Sequence, residues 1–106
     1  MKTLEVLRQQ LSLGDFEFSR HAFKRAVERN ISDIEIRQAG ANVESIEDYP
    51  DDKYSPSCLL LGFTERGRPL HLQVSCIDST LVRVITLYEP DESEWIDFAQ
   101  RRQREC

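Results

Sequence analysis

Between residues 58 and 88 the chain is written in the pattern of β-strands, and this stretch limits the fold more than any other. Residues 58–63 (CLLLGF) are continuously apolar, as in a strand buried on both faces. Arg66-Gly67 marks a hairpin, after which Leu70, Leu72, Val74 and Cys76 alternate with His71, Gln73 and Ser75. Residues 81–88 follow the Asp78-Ser79 turn and form the most β-prone segment of the sequence. A weaker strand over residues 43–49 is closed by Pro50-Asp51-Asp52. Consecutive strands joined by short turns predict an antiparallel meander of about four strands.

The remainder reads as helix. Leu4, Leu7 and Leu11 recur at helical spacing and predict a helix over residues 2–13, ended by Gly14-Asp15. Phe16-Glu17-Phe18 alternates briefly, consistent with a short strand leading to Ser19, a good helix cap. Residues 19–31 (SRHAFKRAVERNI) predict a second helix stopping near Asn30. At about 100° per residue, His21, Arg25 and Arg29 share one face. Phe23, Ala26 and Val27 fall opposite, with Ala22 at their edge, and are expected to pack on the core. Ser32 and Glu35 form a capping box for a third helix ending at Gly40. Pro90 and Asp91 open a last helix, with Trp95 in its first turn as an anchor and Arg101, Arg102 and Arg104 near its end. The expected fold is therefore α+β: N-terminal helices packed on an antiparallel meander sheet, with a C-terminal helix and tail over residues 91–106.

A chain of 106 residues supplies one hydrophobic core, so residues 1–106 form a single domain. The start MKTLEVLRQQ lacks the hydrophobic run of a signal peptide, and no apolar run reaches membrane-spanning length. Cys58 and Cys76 sit in apolar strands, and together with Cys106 they lack paired spacing; reduced thiols in a cytoplasmic protein are expected. The net charge of −5 opposes indiscriminate binding to nucleic acid. Charge is uneven, however: residues 1–30 carry six basic and four acidic side chains, and residues 31–56 carry two and seven. A basic helix beside an acidic middle can focus an anion on one face, or the acidic segment can simply be solvated.

His21 beside Arg25 and Arg29 suits a phosphate ester, with arginine holding the oxygens and imidazole moving a proton. The opposing reading is an ordinary solvated helix face, on which Glu28 pairs with Lys24. His71 points away from the apolar row of its strand, toward a polar partner. A two-residue turn at Asp78-Ser79 sets it opposite Thr86 with Tyr88 at the end of that face, and a longer turn brings Arg83 beside it. Should the basic helix cross that sheet face, His21, Arg25 and His71 would converge into a site for metal-free RNA cleavage. The catalytic candidates are then His21, His71 and Arg25, and the substrate-binding candidates are Arg29, Tyr88 and Lys24. No metal-ligand spacing and no glycine-rich phosphate loop occur, so neither metal nor cofactor is expected.

His21-Ala22, Arg25, Arg29, Ile31, Tyr49-Pro50, Leu61-Gly62, Gly67, Pro69-Leu70-His71, Tyr88, Pro90 and Trp95 occur in an order that resembles the bacterial family called domain of unknown function 4258. The likeness spans residues 19–95, leaving the first helix and the tail outside. It implies a distant relation to the RelE-like and MqsR-like toxin ribonucleases, small α+β proteins that cleave messenger RNA without a metal. It also implies an antitoxin partner of zinc-finger type. The expected function is thus a toxin-type RNA endonuclease of a toxin–antitoxin pair. The alternatives are a non-catalytic binding module for a protein or ligand on the same fold, and a decayed toxin.

Overall fold

A computed structural model of the chain describes residues 1–53 and 55–103. Three helices come first: α1 (Leu4–Leu13), α2 (Arg20–Glu28) and α3 (Asp33–Gly40). Local chemistry sets their ends. Thr3, Ser19 and Ser32 cap the three N-termini with their side-chain oxygens, and Ser32 and Glu35 complete the capping box. Gly14 ends α1 in the left-handed conformation at φ 83°.

The main sheet has five strands: β1 (Phe16–Phe18), β2 (Glu44–Tyr49), β3 (Ser57–Phe63), β4 (Pro69–Ser75) and β5 (Val82–Tyr88). Their order is β1-β5-β4-β3-β2. β2 to β5 are antiparallel neighbours, but β1 runs parallel to β5, with Phe16 opposite Val82 and Phe18 opposite Val84. The sheet is therefore mixed, not the purely antiparallel four-stranded meander expected. The parallel pair joins segments more than sixty residues apart, held at its ends by Val82 N–H to Asp15 O (2.9 Å) and Ser19 N–H to Val84 O (3.0 Å). No local pattern encodes such a pairing.

The helices cover one sheet face. Leu7, Leu11, Ala22, Ala26, Ile36 and Ala39 bury there against Leu60, Leu70, Leu72, Val74, Val82, Val84 and Leu87. Ala22 and Ala26, rather than Phe23 and Val27, form the seam of α2: Phe23 is 60% exposed and Val27 66%. Small side chains let this short helix lie close to β5, which rotates the larger apolar residues outward. The Sγ atoms of Cys58 and Cys76 lie 3.1 Å apart as buried free thiols. Burial pushes the Cys58 thiol up, which keeps it protonated and unreactive.

The second correction concerns residues 91–103. The expected C-terminal helix makes only one turn, in which Glu94 and Trp95 N–H donate to Asp91 O. A small hairpin follows, β6 (Trp95–Ile96) and β7 (Gln100–Arg101). Burial of Trp95 to 2% exposure outweighs local helix preference. This hairpin straps over the sheet face opposite the helices, explaining why β3 is buried on both sides. The expected positions of Arg104 and the reduced thiol of Cys106 lie outside the described residues. Among the described residues, no helix is long and apolar enough to cross a membrane.

Candidate functional site

The strap leaves the β1–β5 end of the face opposite the helices open. In β1, Phe16 and Phe18 pack on the core, so Glu17 projects to the other side. Arg83, between buried Val82 and Val84, projects likewise, and the parallel register sets it beside Glu17, Nη1 to Oε1 3.2 Å. Ser19 follows β1 and begins α2. Its Oγ donates to Ile85 O (3.0 Å) and accepts from Ala22 N–H (3.0 Å), fixing the first turn of α2 against β5. That turn carries the exposed imidazole of His21. Glu17, Ser19, His21, Arg83 and Ile85 line a groove of about 720 Å³, whose far wall is Ser55, Ser75, Ile77, Ser79 and Leu81. A carboxylate, an imidazole and a guanidinium thus face one open cleft, each of them exposed. Such a set can bind an oxyanion, accept one proton and donate another.

His71 lies elsewhere, under the strap. Its ring has no exposed surface and meets Trp95 edge-on at 4.5 Å between centroids. Nε2 pairs with the carbonyl of Phe98, which can only accept, so Nε2 carries the hydrogen. In the neutral ring Nδ1 is then an acceptor, and the Tyr88 phenol donates to it over 3.3 Å. A bulge in β5 between Val84 and Thr86 brings Tyr88 directly opposite His71, an alignment that neither turn length considered from sequence gives. Arg101 braces the strap from outside with two bonds to Glu47 (2.8 and 3.1 Å) and a stack over Trp95 at 4.6 Å. Tyr49 donates to the same carboxylate, and its phenol, half-buried, is pushed up to about 12. His71 therefore has both nitrogens satisfied and no surface for a substrate.

Burial holds the pKa of His71 below its ordinary 6.5, against the opposing pull of the Phe98 carbonyl and the Glu47 carboxylate. The unfolded chain thus binds this proton more readily than the folded one, and stability rises with pH across the interval between the two values. The contribution is complete above 6.5 and is lost as pH falls through the folded value. The carboxylates of Glu35 and Glu47, also lowered, add their loss only below 4.5. The urea midpoint of the native protein is expected to fall between about pH 7.5 and about pH 5.5, and that of His71→Gln to change much less. Parallel pH dependence in both proteins would refute this assignment.

The remaining candidates separate. Arg25 is tied to Glu28 at 2.7 Å, and Lys24 stands exposed on α2; neither lines the groove. Arg29 donates to Leu87 O (2.7 Å) and sits 5.9 Å from the Tyr88 ring, so it joins the His71–Tyr88 group. With Arg68, Glu89, Asp91 and Glu94, Arg29 and Tyr88 line a separate groove of about 580 Å³, rich in carboxylates. The expected convergence of His21, Arg25 and His71 does not occur, because α2 packs on the face opposite His71. Glu17 escaped sequence reasoning, and Arg83 entered it only as a possible neighbour of His71. The signal was present in Glu17 between two phenylalanines and Arg83 between two valines, but their meeting depends on the parallel register. Among the described residues, no group of three or more His, Cys, Asp or Glu side chains is placed to hold a metal ion.

The model of the family described as Domain of unknown function (DUF4258) matches residues 18–89. The match begins at the end of β1, takes in α2 and runs to the end of β5, so it includes Ser19, His21 and Arg83. No curated protein and no solved structure matches the chain.

Proposed function

From the premise that this chain belongs to the family of domains of unknown function (DUF4258), we propose that it is a metal-independent RNA endonuclease of the toxin type. The reacting site is the open groove, and one observation carries the reading: Glu17, His21 and Arg83 line a single accessible cleft. A phosphodiester entering it competes with Glu17 for the Arg83 guanidinium, which frees the carboxylate. Glu17 removes the proton of the ribose 2′-hydroxyl, and the 2′-oxygen attacks the adjacent phosphorus. The P–O5′ bond breaks as protonated His21 gives its proton to the leaving 5′-oxygen, while Arg83 holds the charged phosphorane. The products are a 2′,3′-cyclic phosphate and a 5′-hydroxyl. His71, Tyr88 and Arg29 keep the strap and sheet in place and take no proton from substrate. Distant kinship with the RelE-like and MqsR-like toxins, a cytoplasmic setting and a zinc-finger antitoxin belong to this same reading.

Induced expression in a bacterial host tests it, because growth arrest also registers cleavage that depends on ribosomes. Wild type is expected to arrest growth, while His21→Gln and Arg83→Ala, soluble at equal level, are not. Harmless wild type at high soluble expression contradicts the proposal. The apolar wall of Ile77, Leu81 and Ile85 supports a second reading, a non-catalytic binding groove. In that case Ile77→Asp abolishes ligand capture, while Glu17→Gln leaves it intact.

A further inference from the structure

The open groove continues along the sheet toward the strap. Ser75 lines the groove, and Gln73, two residues back on the same face of β4 and about 7 Å away, lines a second recess. Its volume is about 580 Å³, and Tyr49, Asp52, Leu59, Tyr88 and Arg101 complete its lining. The two phenols are held by their hydroxyls, Tyr88 to His71 and Tyr49 to Glu47, so what they offer the recess is ring surface. Gln73 is fixed by a short relay. The Asp52 carboxylate only accepts, so the hydroxyl of fully buried Ser57 donates to it over 3.2 Å. Ser57 Oγ then accepts from Gln73, also over 3.2 Å, which sets the amide nitrogen toward Ser57. The carbonyl oxygen of Gln73 faces the other way and has no hydrogen-bond partner among the described residues. The recess therefore presents acceptors from Gln73 and Asp52, with the Arg101 guanidinium as the donor at its rim.

Charge differs between the two ends of this sheet face. At the groove, Arg83 attracts a phosphate. At the recess, Asp51 and Asp52 repel one, and Arg101 is already paired with Glu47. A nucleotide strand lying along the face thus sets its backbone at the groove and a base in the recess. Resting on the endonuclease reading, we propose that the recess is a base subsite selecting guanine in single-stranded RNA, close to the bond that is cut. The ring lies against Tyr49 and Tyr88. Its N1–H and 2-amino group donate to the oxygens of Asp52 and Gln73, and its O6 accepts from Arg101. Uracil brings one N–H between two carbonyl oxygens, and adenine and cytosine bring a bare ring nitrogen. Each of these sets an acceptor against an acceptor.

Short labelled oligonucleotides and the full chain test the proposal in two arms. The binding arm uses 2′-deoxy strands, which lack the attacking hydroxyl and stay whole, and reads fluorescence anisotropy. A strand of deoxyuridines with one guanine is expected to bind about tenfold or more tightly than the same strand with adenine or hypoxanthine there. Hypoxanthine differs from guanine only in lacking the 2-amino group. Gln73→Ala and Asp52→Asn, with unchanged circular dichroism spectra, are each expected to bring the three strands within about threefold of one another. A ratio between strands on one protein is not mimicked by a general loss of stability. The cleavage arm uses ribonucleotide strands with one guanine. Wild type is expected to cut at one fixed spacing from the guanine, and Gln73→Ala to cut without that preference. Selective binding that depends on Gln73, with no cleavage, would support the guanine subsite and count against the endonuclease reading alone. Equal affinity for the three deoxy strands overturns the subsite, as does cleavage at bonds unrelated to guanine, and the latter leaves the endonuclease reading standing.

Discussion

Replacing Glu17 or His21 by Gln is expected to lower the rate of RNA cleavage by about 10²–10⁴-fold each. Gln at position 17 keeps a carbonyl oxygen for Arg83 but no longer takes the 2′-proton. At position 21 it fills the place of the imidazole without a proton to give. Neither substitution should disturb folding. Glu17 and Arg83 are half-exposed, and a pair of this kind contributes at most about 1 kcal/mol. His21 stands on the first turn of α2, whose geometry is set by Ser19 and not by the imidazole. The double variant should be little worse than the poorer single one, since base and acid act in one step. Single-turnover cleavage of a labelled RNA, alongside thermal unfolding of each variant, checks the expectation. Unfolding midpoints within about 2 °C of wild type would show that activity and not the fold has been removed.

The second large effect is on stability, at Gly62. This residue lies on the helix-facing side of β3, where the C-terminal end of α3 passes over the strand. A methyl group there would sit 2.3 Å from the carbonyl oxygen of Ala39, 2.8 Å from its carbonyl carbon and 2.9 Å from Val43 Cγ1. Two of those atoms are backbone, and they cannot swing aside as a side-chain tip can. Asn42 also pins this crossing, accepting from Phe63 N–H and donating to Phe63 O at 2.8 Å each. Gly62→Ala must therefore push α3 off the sheet, at a cost of about 3 kcal/mol or more. Gly67→Ala is the control: its added methyl meets nothing within 4 Å, and only the left-handed backbone at φ 84° is strained, for about 1–2 kcal/mol. Urea unfolding of both variants should show Gly62→Ala the less stable by a clear margin. Equal losses would mean that α3 does not press on β3 at this point.

The parts of the fold legible in the sequence are those decided within a few residues. Ser19, Ser32 with Glu35, and Gly14 mark helix ends by hydrogen bonds to nearby backbone, and all three operate as read. The alternation around Leu70 and Leu72 likewise put His71 on the correct sheet face. What was hidden depends on distant partners. β1 alone reads as an edge fragment, and only its pairing with β5 makes the sheet mixed. Residues 91–103 have helical composition, yet Trp95 is better buried against His71 than left on a helix. In α2 the periodicity correctly identifies a helix but centres its buried seam on Phe23, Ala26 and Val27, because these lie opposite the face of His21, Arg25 and Arg29. Close approach to β5 favours Ala22 and Ala26 instead.

The site follows the same division. His21 stood out because an imidazole among arginines is distinctive in one dimension. Its partners in the groove are single charges flanked by apolar residues, and they meet only through the β1–β5 register. His71 looked equally chemical but is consumed by Phe98 and Tyr88. In the proposed mechanism cleavage belongs to the open groove and not to the buried histidine.

The most direct measurement is analysis of the RNA ends made by the purified protein, with a chelator present and RNA supplied free or on ribosomes. The proposed mechanism predicts 2′,3′-cyclic phosphate and 5′-hydroxyl ends from wild type and from folded His71→Gln, formed about 10²-fold or more slowly by Glu17→Gln or His21→Gln. Intact RNA with wild type under both conditions would contradict it, as would cleavage that survives in Glu17→Gln and vanishes in folded His71→Gln.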